Sequence, residues 1–320
     1  MSPIIIATRG SALALAQSNA VLASCRKKFP KLAFELKIIK TTGDKLQTAP
    51  PDAAAALATR ALFTKELETA LLEEKADFAV HSLKDLPTEL PAGLKLAGVA
   101  GEREDVRDVL IYRIDKLLTS KMTLAEFPPG LVVATGSARR QTQLLAARPD
   151  FETIPIRGNV PTRLQKLLDQ TNLDATILAA AGLSRLGMKI TSTGHLEAPG
   201  IVGELGVFVF EPEVMLPCVG QGAIGLEIRE NDERTAEICQ KLDHVDTFQC
   251  VVAERAFLEA MGGGCQTPIG AYACLSGNRI HLRAVAHLTK NVQRGEAKGA
   301  RKNAVALGQK VAALVRGGKK

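Results

Sequence analysis

Apolar and polar positions follow one another along this chain in an order that occurs twice. Ile4-Ile5-Ile6 is an unbroken apolar run closed by Ala7-Thr8-Arg9-Gly10-Ser11, after which Leu15, Val21, Leu22 and Cys25 recur at helical spacing. That pattern predicts a buried strand, a polar turn and a helix. Leu131-Val132-Val133, the turn Ala134-Thr135-Gly136-Ser137-Ala138 and a helix-like stretch repeat the order. Pro149 stops this second helix, because it lacks an N–H and clashes with the preceding turn. Each unit is followed by a second strand (34–39; 151–156) and by a helix with apolar spacing (Phe63, Leu67, Leu71; Leu164, Leu167, Leu168). A third strand, opened by Asp77 or Asp174, completes each set. The repeat predicts an approximate internal duplication, two α/β halves of about a hundred residues each.

Two such halves face each other across a cleft, with ligands held beyond the carboxyl ends of the strands, so the chemistry is expected in the turns. A third region starts near Asp246. It reads as a helix with Phe248, Val252 and Leu258, a stop at Gly262-Gly263-Gly264, two short strands (269–273; 280–286) around Ser276-Gly277-Asn278, and a last helix with Leu307, Val311, Leu314 and Val315. This predicts a small α+β domain. Residues 45–60, rich in Ala, Pro and polar side chains, read as an exposed, mobile loop. The stretch 190–210 has no clean periodicity and receives no assignment.

Composition narrows the function. A length of 320 residues suits two or three cores. Apolar residues, 46% of the chain, never run unbroken for the ~18 positions of a membrane span. The start of the chain reads as neither a basic leader nor a full apolar segment, so a cytoplasmic protein with all six cysteines as thiols is expected. Neither C-x-x-C nor H-E-x-x-H spacing occurs, so no metal site is expected. A net charge of +7 invites nucleic acid, but aromatics are 4% and Trp is absent, which leaves few stacking platforms. Part of the excess lies in Lys298–Lys320, read as a solvated basic tail.

The other arginines recur at turns. Arg9 and Ser11 sit where a strand becomes a helix, and so do Thr135, Ser137, Arg139 and Arg140. Backbone N–H groups, hydroxyls and guanidinium forks would converge there on an anion. Arg157 in an Arg-Gly-Asn turn, Arg163 one helical turn later, and Arg185 after Ala-Gly-Leu-Ser extend the set. So many forks imply a ligand with several carboxylates or phosphates; for any one residue, helix capping or a solvated surface charge explains it as well. His81-Ser82-Leu83-Lys84-Asp85-Leu86-Pro87 places a carboxylate at the cleft mouth, where it can do acid–base or cation-stabilising work or simply pair with Lys84. Cys265 follows three glycines, which leaves its sulfur sterically open and suits an attachment point. The other five cysteines are expected to be buried and inert.

Ala-Thr-Arg-x-Ser near the start, Leu-Phe-Thr-Lys-Glu-Leu-Glu (62–68), Ala-Val-His-Ser-Leu-Lys-Asp-Leu-Pro (79–87), Arg-Gly-Asn-Val-Pro-Thr-Arg-Leu (157–164), Val-Gly-Gln-Gly-Ala (219–223) and Gly-Gly-Cys-Gln-x-Pro-Ile-Gly (263–270) occur in order. Together they resemble the porphobilinogen deaminase, or hydroxymethylbilane synthase, family from about residue 4 to 285. The resemblance implies an α/β fold of two type II periplasmic-binding-protein-like domains and a small α+β C-terminal domain. The domains would span 1–103 with 223–242, 104–222, and 243–320. Four porphobilinogen units would be deaminated and condensed on a dipyrromethane cofactor thioether-linked to Cys265, and hydrolysis would release the linear tetrapyrrole.

By the same resemblance Asp85 is catalytic. Ser82, Lys84, Asp85, Thr135, Ser137, Arg139, Arg140, Arg157 and Arg163 match cofactor-binding positions, and Arg9, Ser11, Gln17, Arg157, Arg163, Arg185 and Gln221 match substrate-binding positions. The expected protein is a cytoplasmic monomer that acts on porphobilinogen, with no nucleic-acid, membrane or metal partner. This chain departs from the family pattern at Leu57-Ala58-Thr59-Arg60-Ala61 and at Gly136. The alternative is a non-catalytic polyanion-binding or sensor protein on the same scaffold, which would need neither Asp85 nor Cys265.

Overall fold

The computed structural model describes residues 2–42, 61–114, 119–263, 267–288 and 292–317. The loop expected at 45–60 and the candidate attachment residue Cys265 both lie outside the described residues.

The first half runs β1 (Ile4–Arg9), α1 (Ala12–Lys28), β2 (Phe34–Ile39), α2 (Ala61–Leu72), β3 (Phe78–Ser82), a 3₁₀ turn at Leu83–Asp85 and β4 (Leu94–Val99). The second runs β5 (Asp108–Arg113), β6 (Val132–Ala134), α3 (Ala138–Ala147), β7 (Glu152–Ile154), α4 (Val160–Asp169), β8 (Ala175–Ala179) and α5 (Ala180–Arg185). A two-residue hairpin, β9 (Lys189–Ile190) with β10 (Leu196–Glu197), and then β11 (Leu205–Val209) fill the stretch that periodicity left unassigned. The chain then returns as β12 (Ile224–Arg229) and α6 (Glu233–Leu242).

Two five-stranded sheets result, ordered β2-β1-β3-β12-β4 and β7-β6-β8-β5-β11. The orders correspond strand for strand, with three parallel strands and then an antiparallel one in each. Even the acidic openings match. Asp77 Oδ2 accepts from Ile5 N–H at 2.6 Å and Asp174 Oδ2 from Val132 N–H at 2.9 Å, so each aspartate ties the third strand to the start of the first. In the first sheet the antiparallel fourth strand comes from beyond the half itself, since β12 enters it only after the second sheet is complete. The chain therefore crosses between the sheets twice, at 100–107 and at 210–223. The result is an α/β plan of two matching sheets joined by two crossing segments.

Each sheet is buried on both faces, which its near-continuous apolar strands require. Val21, Leu22 and Cys25 of α1 pack on Ile4, Ile6, Phe78 and Leu226, while Leu67 and Leu71 of α2 cover Ala7 and Ala79 on the other face. Leu164 and Leu167 do likewise for the second sheet.

The third unit comprises α7 (Val245–Ala260), β13 (Ile269–Ser276), β14 (Arg279–Ala286), β15 (Gln293–Ala300) and α8 (Ala304–Gly317). Its three strands form an antiparallel meander under the two helices. A Cβ at Gly308 would lie 2.4 Å from the Ala253 carbonyl oxygen, so this glycine sets how closely α8 approaches α7. The buried stripe of α7 is Cys250, Val251, Ala253 and Phe257 rather than the expected Phe248, Val252 and Leu258, which are only partly buried. The solvated tail is also corrected. Lys298 lies on β15 and Lys310 on α8, both exposed, while Leu307, Val311 and Val315 enter the core. Among the described residues these lysines lie on the outer face of folded elements.

Candidate active site

The strand-to-helix turns put their polar groups where the sequence places them. Ser11 caps α1, its Oγ accepting from Ala14 N–H at 3.3 Å, and Ser137 caps α3 by accepting from Arg140 N–H at 3.4 Å. Thr135 Oγ1 accepts from Ser137 N–H at 3.2 Å. These hydroxyls satisfy N–H groups that a helix start otherwise leaves bare. They do so while standing at the carboxyl ends of β1 and β6, one in each half.

Five of the expected residues meet at one cavity of about 50 Å³: Arg9, Ser11, Gln17, Ser82 and Asp85. Gln17, almost fully buried, exchanges hydrogen bonds with Ser82, donating from Nε2 at 2.8 Å and accepting at Oε1 at 3.0 Å. The Arg9 guanidinium lies over the Phe63 ring, 4.1 Å from its centroid, which holds the fork against an apolar face. His81 lines the same cavity. Its Nε2 lies 2.8 Å from Glu227 on the neighbouring strand, with both side chains buried. The motif contains His81, but its partner is 146 residues away, and a single acid in β12 gives no local signal.

Asp85 ends the 3₁₀ turn that follows β3. Lys84, beside it, has its ammonium pKa lowered to about 8, by burial first and then by the like charge of Arg140, against the pull of Asp85. Burial brings Arg163 down to about 10, with Arg140 again adding repulsion and Asp85 attraction. Lys84, Asp85, Arg140 and Arg163 therefore share one electrostatic field, although they come from both halves. Arg163 Nε donates to the Gly158 carbonyl at 2.8 Å, which turns it back over the Arg157-Gly158-Asn159 turn.

Arg139 and Arg140 are organised by a residue that sequence reasoning missed. Asp108, fully buried at the start of β5, accepts from Arg139 Nη1 at 2.7 Å, from Arg140 Nη2 at 2.8 Å and Nε at 3.1 Å, and from Gln221 Nε2 at 3.0 Å. Two guanidiniums around one carboxylate leave a net positive charge, which holds the Asp108 pKa far below the usual carboxylate range in spite of its burial. Gln221 spans the crossover: its Nε2 also donates to the Val106 carbonyl at 2.7 Å, and its Oε1 accepts from Lys84 at 3.4 Å.

Arg185 stands apart from the cavity. It is held at the crossover by Glu104 at 2.7 Å and the Gly222 carbonyl at 2.7 Å. Gly222 has φ +84°, and a Cβ there would lie 2.5 Å from the Glu104 carbonyl oxygen, so the Gly-Gln-Gly turn serves close approach of the two crossing segments. A larger cavity, about 320 Å³, borders the same segments and is lined by Arg103, Glu104, Arg107, Glu211 and Tyr272 among others. It contains none of the expected residues, and Arg103 and Arg107 are already paired with Glu254 and with Asp105 and Glu211.

Among the described cysteines, burial raises Cys25 to about 11 and Cys250 to about 12, and it raises Cys239 further. Cys218 and Cys274 are only half-buried, which corrects the expectation that all five are enclosed.

The charged groups of this cleft are mostly cationic. Guanidiniums and an ammonium outnumber carboxylates, and the like charge of Arg140 repels both Lys84 and Arg163. Such a site fits a molecule bearing several carboxylates, as a dipyrromethane with acetate and propionate side chains does.

The family model described as "Porphobilinogen deaminase, dipyromethane cofactor binding domain" matches residues 4–237, and "Porphobilinogen deaminase, C-terminal domain" matches 248–316. Curated relatives agree. The porphobilinogen deaminase of Alkaliphilus metalliredigens is 42% identical over 88% of this chain and 81% of its own. That of Carboxydothermus hydrogenoformans is 43% identical over 92% and 88%, and that of Trichlorobacter lovleyi 42% over 98% and 94%.

Proposed function

The chain belongs to the porphobilinogen deaminase family, and from that premise we propose how its own residues divide the work. The activity is hydroxymethylbilane synthesis, a transferase reaction of tetrapyrrole and heme biosynthesis. Four porphobilinogen units are deaminated and condensed head to tail, and water releases the linear product. When bound, the dipyrromethane supplies the pyrrole chain end onto which the units are added.

The carboxylate of Asp85 faces the substrate pyrrole, accepting from its N–H and offsetting the positive charge that develops as ammonia departs. As the C–N bond of the protonated aminomethyl group breaks and ammonia leaves, the positive charge moves from that nitrogen onto the pyrrole ring, and a fixed negative charge beside the ring favours that transition state. Arg9 and Ser11, with Gln17 and Ser82 behind them, hold the acidic side chains of the incoming unit. Lys84, Arg163 and Arg157, with Thr135 and Ser137, hold those of the bound chain. Arg139 and Arg140 serve through Asp108, which keeps both forks fixed and leaves one positive charge over for the ligand. Arg185 and Gln221 act at the crossover. Cys265, which falls between α7 and β13 in the sequence, is the tether.

We divide the chain into 1–103 with 223–242, 104–222 and 243–320. The sheet membership of β12 and the meander of the third unit support that division. No helix of the described residues is long and apolar enough to cross a membrane. We place the enzyme in the cytoplasm as a monomer, and without nucleic-acid partners because aromatic residues are only 4% of the chain and Trp is absent.

One observation carries this assignment of roles. Asp85 shares a cavity with Arg9, Ser11, Gln17 and Ser82 while acting electrostatically on Arg163 of the other half. The test is turnover of porphobilinogen by purified protein, followed as uroporphyrin after oxidation, beside Asp85→Ala. Loss of turnover in a folded, cofactor-bearing Asp85→Ala protein supports the roles; wild-type turnover in that variant removes Asp85 from the mechanism.

A further inference from the structure

Helix α7 belongs to the third unit, yet one of its faces is turned to the segment that carries Asp85. Phe248, Val251 and Arg255 lie at i, i+3 and i+7, on one side of the helix. Val251, fully buried, and Phe248 pack with Leu83, Leu86 and Leu90, the apolar residues on either side of Asp85. Above that contact the Arg255 guanidinium reaches three successive carbonyls. Nη1 donates to Leu86 at 3.2 Å, and Nη2 donates to Pro87 at 2.6 Å and to Thr88 at 3.1 Å.

These carbonyls need such a partner. From Leu86 to Glu89 the backbone is in neither helix nor strand, and Pro87 and Pro91 contribute no N–H. Partly buried carbonyls left without donors would pull the segment toward water. A planar fork with fixed N–H directions can satisfy three at once, and doing so fixes the path of the chain, which neither a point charge nor apolar packing alone achieves. The constrained residues begin immediately after Asp85, so the bonds that fix them also limit where that carboxylate stands.

We propose that Arg255 is a positioning residue for the reaction. By clamping the carbonyls of Leu86, Pro87 and Thr88, it sets the place of the Asp85 carboxylate relative to the anion-binding side chains. The proposal rests on Asp85 being the reacting carboxylate, and it adds that the third unit controls that group through non-covalent contacts.

The experiment uses the full-length, cofactor-bearing protein and four variants: Arg255→Gln, Arg255→Lys, Asp85→Glu and the Arg255→Gln/Asp85→Glu double. Intact mass reports cofactor loading, a thermal melt reports folding, and steady-state kinetics give kcat and KM for porphobilinogen. A displaced carboxylate lowers kcat and leaves carboxylate binding by the arginines in place. Arg255→Gln should therefore load cofactor, keep KM within about twofold and lose roughly ten- to a hundredfold in kcat. Arg255→Lys, which can reach fewer of the carbonyls, should fall between it and the wild type. In the double variant the two losses should combine to less than their product, because both act on one carboxylate. If Arg255→Gln does not fold, Arg255→Lys decides, and a loss in kcat at unchanged KM is the expected result. Wild-type kcat in the variant that folds, a change confined to KM, or fully multiplicative losses would overturn the proposal. A wild-type protein inert to porphobilinogen would instead overturn the proposed function, and a silent Asp85→Glu beside an impaired Arg255→Gln would detach Arg255 from Asp85.

Discussion

Arg140 grips a single oxygen of Asp108 with two nitrogens, Nε at 3.1 Å and Nη2 at 2.8 Å, while both side chains are buried. The residue that the sequence marks as a ligand for outside carboxylates already holds an inside one. Asp108→Asn should leave two buried guanidiniums without a counter-charge and cost about 3–5 kcal/mol. A urea transition moved to lower concentration at unchanged slope is the expected reading.

A second buried carboxylate joins the third unit to the crossover. Glu254 accepts from Arg103 at 2.6 and 3.0 Å, from Gly220 N–H at 2.8 Å and from Ala273 N–H at 2.8 Å. Glu254→Gln exchanges an acceptor for a donor that faces other donors and strands the Arg103 charge, so a loss of about 3 kcal/mol is expected. Chemical denaturation beside Glu259→Gln, a surface control on the same helix, checks this; equal stability of the two variants would contradict it.

Lys84 gives a pH dependence. Its ammonium, lowered to about 8 by burial and by Arg140, is charged below that pH and neutral above it. Only the charged form attracts carboxylates, so cofactor assembly by the apoprotein should slow as the pH is raised through about 8. Lys84→Arg keeps its charge at higher pH and should move that limb upward. A profile that stays in place in Lys84→Arg would assign the limb to another group.

Arg9 presents its fork while stacked on Phe63. Arg9→Lys keeps the charge but loses the paired donors and the flat ring contact. KM for porphobilinogen should rise about tenfold with kcat nearly unchanged; a fall in kcat at constant KM would place Arg9 in the chemistry instead.

The parts of this molecule legible in the sequence are those written locally. Strand, polar turn and helix follow within a few residues at Arg9–Ser11 and again at Thr135–Ser137, and the matching aspartates 77 and 174 perform the same backbone bond in both halves. What was not legible depends on pairing across distance. Asp108 and Glu227 are single acids in apolar strands, and each acquires its meaning only from partners 31 to 146 residues away. The strand β15, Gln293–Ala300, has Ala and Gly as its only apolar residues, and it forms because β14 offers it a free edge. The β9–β10 hairpin pairs only two residues per strand, too few for any period to show.

The central claim is that this cationic cleft builds a tetrapyrrole on a primer tethered to Cys265. Intact-protein mass before and after brief exposure to porphobilinogen tests it most directly. The resting protein should exceed its sequence mass by one dipyrromethane, gain a ladder of successive pyrrole increments on exposure, and show neither in Cys265→Ser. A protein at bare sequence mass that acquires no increment would contradict the account.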